Sequence, residues 1–100
     1  MLNSRIMPEY LPIQYRMEIY EDTFYNDPTE VFHSSTPFLA VNAGDYIAHR
    51  GWSVPPNSDM EGKVLRVKAI QQIIYTIEKS HVGHSLSVCV EAVPKPDGIF

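Results

Sequence analysis

The chain has 100 residues, 44% of them hydrophobic and 20% charged, with eight basic residues against twelve acidic ones and a formal net charge of −4. That length fits a single domain over 1–100 with a modest core, and the apolar content argues against disorder along the whole chain. The acidic balance weighs against a general nucleic-acid binder, which draws most of its affinity from Lys and Arg on phosphates.

The single cysteine, Cys89, leaves no possibility of an intramolecular disulfide. Small secreted domains are often stapled by disulfides, and Met1–Tyr10 contains no apolar run of signal-peptide length. No stretch approaches the ~20 apolar residues of a membrane-spanning helix. A cytoplasmic setting without membrane contact is therefore expected.

Residues 1–10 read as a flexible arm. From Leu11 to Ile19 the pattern is regular: Leu11, Ile13, Tyr15, Met17 and Ile19 alternate with Pro12, Gln14, Arg16 and Glu18. Side chains on a strand point to opposite faces in turn, so this is a half-buried strand. Pro12 has no ladder N–H and marks the start of the strand or an edge. If that strand is an edge, Leu11–Tyr20 offers a surface on which a second copy can pair.

Glu21 to Thr29 is acidic, with Asn26-Asp27-Pro28 as a turn signal. Val31–Thr36 suits a short strand, and Phe38–Val41 is a further apolar run. Asn42-Ala43-Gly44-Asp45 reads as a turn in which Gly44 takes a positive φ. Tyr46 and Ile47 resume strand character. Ala48–Gly62 shows no obvious element, a long interval for a compact domain.

Residues 63–79 admit two templates. Met60, Val64, Val67, Ile70, Ile74 and Ile77 fit a helix, with Ser58 and Glu61 as a capping box. Leu65, Val67, Ala69, Ile73, Tyr75 and Ile77 fit a strand whose pattern breaks at Gln71. The abundance of Val, Ile, Thr and Tyr favours the strand, with a bulge or bend at Gln71-Gln72. Ser80–His84 is turn-length, and Leu86, Val88, Val90 and Ala92 alternate with Ser85, Ser87, Cys89 and Glu91. A flexible tail is expected from 94 to 100. These elements predict an all-β fold, a small five- or six-stranded barrel or roll of the SH3-like or OB-like kind. The alternative is α+β, with a helix at about 60–79.

No segment carries a specific catalytic, metal or nucleotide motif. His81 and His84, close together in the expected turn, are the one metal candidate, with Cys89, His33, His49 or Asp45 as further ligands; their ordinary reading is as exposed turn residues. Cys89 in mid-strand reads as a small hydrophobe rather than a nucleophile. Asp45, His49, Arg50 and Trp52 border one turn and loop and form the ligand-pocket candidate. Against this, Asp45 suits local turn bonding, and Trp52 suits folding back over the core. Tyr20, Phe24 and Tyr25 among Glu18, Glu21, Asp22 and Asp27 make a candidate protein-binding surface. Arg66 and Lys68 form a small basic patch on one strand face. The expectation is a non-enzymatic protein-interaction module with a protein partner or self-association and no cofactor. The alternatives are a small-ligand protein or enzyme at the Asp45–Trp52 pocket, and a weak nucleic-acid binder.

Overall fold

The computed structural model describes residues 10–98, so the expected arm over residues 1–10 lies almost wholly outside the described residues. Five strands follow one another: β1 (Ile13–Glu21), β2 (Glu30–Ser34), β3 (Tyr46–Ile47), β4 (Lys63–Ile77) and β5 (His81–Pro94). They form one sheet in the order β2-β1-β5-β4-β3. All pairs are antiparallel except β1 with β5, which run parallel from Ile13↔Val82 to Glu21↔Val90. The sheet curls into a half-barrel, and the all-β expectation holds.

The helical alternative at 60–79 fails. Met60 lies in a loop, Gly62 takes φ 68°, and Lys63 N–H bonds the Met60 carbonyl at 3.0 Å, closing the turn that starts β4. The capping-box serine is engaged elsewhere, since Ser58 Oγ donates to Glu21. The irregularity expected at Gln71-Gln72 instead falls at Lys68, where the β4–β5 register slips between Val67 and Ala69. This bulge changes the parity of the strand. Leu65 and Val67 face the core before it, and Ile70 faces the core after it, so Ile73, Tyr75 and Ile77 end on the other face.

The β4–β5 turn is shorter than expected. It comprises Glu78–Ser80, with Lys79 at φ 61°, and β5 already begins at His81. Tyr75 explains why Gly83 belongs to the strand. Its ring lies where a Gly83 Cβ would project, so only glycine lets the ring lie flat on the central strand. At the far end β5 runs to Pro94, and Lys95 N–H bonds the Gly62 carbonyl at 3.1 Å.

One face of the sheet holds the core of Ile19, Leu65, Val67, Val88 and Val90. Met17, Phe32, Ile47, Ile70 and Leu86 extend it from the strands, while Val41, Trp52 and Met60 reach it from loops. The opposite face of β5 carries Gly83, Ser85, Ser87 and Cys89, all buried. These small side chains sit low between the longer ones of β1 and β4.

β1 is an interior strand, paired with β2 over Tyr15–Ile19 and with β5 along its whole length. Pairing of a second copy along Tyr15–Ile19 is therefore blocked, because the ladder groups there are already taken on both sides. Among the described residues the open edges include the outer side of the short strand β2 and the part of β4 that β3 leaves uncovered. Beside β4, the strand β3 covers only Leu65 and Arg66.

Candidate functional site

The long loop 48–62 is not slack. Two buried carboxylates, at the end of β1 and the start of β2, bind it from below. Glu21 accepts hydrogen bonds from Asn57 N–H at 2.8 Å and from Ser58 N–H and Oγ at 3.0 Å each, as well as from Thr29 Oγ1. Glu30 accepts from Ser53 N–H and Oγ, each at 2.7 Å, and from Val31 N–H at 3.0 Å. Burial opposes ionisation of Glu21, but the hydrogen bonds from Thr29, Asn57 and Ser58 outweigh it and hold the carboxyl below its usual range. For Glu30 the Ser53 hydroxyl is the chief cause of a lowered value. The acidic stretch around Glu21 is thus a pair of structural anchors in part, where a wholly solvated or partner-facing surface was expected.

This anchoring sets the loop candidates in place. Trp52 packs on the core edge-on to Phe32, with ring centroids 6.4 Å apart, and His49 is also edge-on to it at 6.2 Å. Asp45 serves the turn: its Oδ2 accepts from Asn42 N–H at 2.8 Å, beside Gly44 at φ 94°. His49 and Arg50 line a pocket of about 550 Å³ together with Lys63 and Lys95, over Ile47 and Met60. Neither Asp45 nor Trp52 lines it. The four candidates therefore divide: Asp45 closes a turn, Trp52 packs on the core, and His49 and Arg50 line a pocket.

The histidines do not converge. His81 and His84 are three apart on a strand and so point to opposite faces. His81 Nδ1 lies 2.9 Å from Ser80 Oγ, and His84 Nε2 lies 2.9 Å from Gln72 Oε1. Among the described residues no group of three His, Cys, Asp or Glu side chains is placed to hold a metal. Cys89 sits in the central strand between Tyr20 and Ala69. Burial pushes its thiol up, against a smaller lowering by Lys68, which disfavours the thiolate.

The aromatic cluster is only partly a surface. Tyr20 and Phe24 are half-buried and pack edge-on at 5.4 Å. Burial and then the Glu18 charge push the Tyr20 hydroxyl up. Tyr25 alone projects, at 98% exposure. In the basic patch Arg66 meets Glu91 at 3.5 Å, and Lys68 Nζ donates to the Asp22 carbonyl at 2.9 Å.

The distal half of β4 is an exposed apolar surface. Every residue from Gln71 to Ser80 is exposed, and Ile73, Ile74, Tyr75 and Ile77 show 48%, 70%, 40% and 46% of their area to solvent. Beyond Arg66 no strand of the described residues pairs with the outer edge of β4. The backbone of Val67 is satisfied by Gly44 and Asp45, each bond 2.8 Å long. From Lys68 onward the edge is open among the described residues. Sequence reasoning missed this surface because edge status depends on strand order, which alternation does not encode. For Glu21 a signal was present, since it continues the inward parity of Met17 and Ile19.

Set beside protein-family models, characterised proteins and solved structures, the chain matches none of them.

Proposed function

We propose that this protein is a non-enzymatic interaction module that receives an extended strand on the open edge of β4. One observation carries the reading: an apolar ladder running from Lys68 to Ile77 that no strand of the described residues pairs on its outer side. Strand addition draws affinity from main-chain hydrogen bonds and specificity from alternate side chains. Edge strands are usually guarded by prolines, inward charges or short length. Residues 69–77 contain neither a proline nor a charge. The test is selection of extended peptides from a random library, followed by amide hydrogen exchange of the bound protein. Protection gained along Lys68–Ile77 is the expected result. Bound peptides that protect only other regions would overturn the reading.

A second reading, a small-ligand protein, is favoured by the 550 Å³ pocket, in which His49, Arg50, Lys63 and Lys95 surround an apolar floor and no carboxylate lines the wall. Its ligand would be an anion with an apolar body. Titration with benzoate, followed by NMR shifts of residues 47–50 and 63–64, checks it; Lys63→Glu should abolish the shifts. No shift in the unmodified protein at millimolar benzoate counts against it.

A further inference from the structure

We infer that the strand received by the β4 edge is β4 of a second copy, paired antiparallel about a twofold axis at Ile73. This rests on the interaction-module reading and names its partner.

The register follows from the ladder. In an antiparallel pair, opposed residues either both turn their N–H and C=O toward the partner or both turn them away. That orientation alternates along a strand. Opposed residues must therefore lie an even number of positions apart, and a strand pairing with its own copy must centre on a residue. The open edge begins at Lys68, because the outer groups of Val67 are bonded to Gly44 and Asp45. It ends where the turn starts at Glu78. Ile73 is the midpoint.

Charge selects the same register. With the axis at Ile73, Lys68 of one copy lies level with Glu78 of the other, so its ammonium, which in the single chain donates to the Asp22 carbonyl across β5, turns to a carboxylate on pairing, and symmetry makes the pair twice. Between these ends lie nine uncharged residues. Ile73 meets Ile73, Ile74 meets Gln72, Tyr75 meets Gln71, Thr76 meets Ile70 and Ile77 meets Ala69. Aromatic and β-branched side chains of this kind stabilise cross-strand pairs. The neighbouring registers are worse. An axis at Gln72 sets Ile77 against Val67, whose ladder groups are already taken. An axis at Ile74 sets Lys68 against Ser80 and Lys79 against Ala69, losing both ion pairs.

The contact is isologous and closes on itself, so it yields a dimer and no filament through this edge. It also removes the hazard of a long, flat, apolar edge. The two sheets become continuous through their distal hairpins, while the pocket at His49 and Arg50, which meets β4 at Lys63 and Val64, lies outside the paired span.

The test is sedimentation equilibrium of the full chain over a wide concentration range at low salt. The expected result is a monomer–dimer equilibrium. Ile73→Lys, which places two ammonium groups together at the axis, should abolish the dimer. Ile73 is half-exposed, so the variant should keep the circular dichroism of the parent. Lys68→Glu and Glu78→Lys should each weaken association about tenfold, because each sets like charges level twice. The double variant Lys68→Glu/Glu78→Lys should restore it. A chain that stays monomeric throughout, a dimer that survives Ile73→Lys, or charge reversals without rescue would overturn the inference. A monomeric chain whose Lys68–Ile77 amides are still protected by a bound peptide refutes self-pairing alone. A chain with neither property refutes the module reading as well.

Discussion

The two halves of the β4–β5 hairpin differ in almost every physical respect, although one strand pair runs through both. In the proximal half Leu65 and Val67 lie opposite Ala92 and Val90, and Leu65, Val67 and Val90 are buried. In the distal half Ile73, Ile74, Tyr75 and Ile77 are as apolar and as β-branched, yet β4 is exposed throughout from Gln71. The strand is continuous, fifteen residues or about 50 Å at ~3.3 Å per residue. What changes is the cover. Val41, Trp52 and Met60 reach the proximal half from loops, and Glu21 and Glu30 hold the loop that carries Trp52. Burial here is decided by how far anchored loops extend, and the sheet is longer than its lid.

The sharpest way to break the comparison is to delete the same bulk in each half. Leu65 is fully buried, and Leu65→Ala should cost about 2–5 kcal/mol through lost transfer energy and an unfilled cavity. Ile74→Ala should cost less than about 0.5 kcal/mol in the monomer, as an exposed substitution away from caps and strain. Urea denaturation of both variants at a concentration below dimer formation checks the contrast. Equal losses would mean that the distal half is covered in solution.

The lid itself is tested through Glu21. Its carboxyl is held below the usual range in the folded chain. A group whose folded value is depressed contributes stability that is present above the unfolded value, about 4.3. That stability is lost as pH falls through the lower folded value. The parent should therefore lose stability as pH drops below the ordinary glutamate range. Glu21→Gln should show a flatter acid limb and should be less stable at neutral pH by about 2 kcal/mol, the scale of hydrogen bonds to a charged group. Glu30 acts in the same sense through Ser53. Loop 48–62 should exchange its amides faster in Glu21→Gln, with the distal hairpin unchanged.

How much of this was legible beforehand follows the same division. β1 and the second half of β5 announce themselves, because a face packed on a core forces alternation, and Ile13–Ile19 and Leu86–Ala92 obey it. Distal β4 has no packed face to enforce a pattern, so apolar residues stand on both sides. The break at Gln71 resembled a bulge, while the true bulge at Lys68 passed as ordinary alternation. Strand order was out of reach, since the parallel β1–β5 pair joins residues some seventy positions apart. For that reason β1 passed for a possible edge and β4 did not. Among the site candidates, the turn role of Asp45 and the core role of Trp52 were readable from residue chemistry. The separation of His81 from His84 was not, because it depends on β5 starting at His81 rather than after a five-residue turn.

The smallest effect concerns what keeps the distal half in order without a lid. Tyr75 lies over Gly83, where any Cβ would meet its ring, so an aromatic side chain on the edge strand replaces the missing side chain of the central one. Gly83→Ala should displace the ring and cost about 1 kcal/mol, at the low end of overpacking costs because an edge side chain can swing outward. Tyr75→Ala should cost a similar amount by uncovering the central strand. The double variant should cost less than the sum, since the clash no longer exists; a double-mutant cycle measures the difference directly. Simple additivity would show that the ring and the glycine do not act as a unit. Hydrogen exchange would then be needed to find what else orders the hairpin tip. A coupling of the expected sign makes Tyr75 over Gly83 the distal counterpart of Trp52 over the core, one aromatic cover for each half of the hairpin.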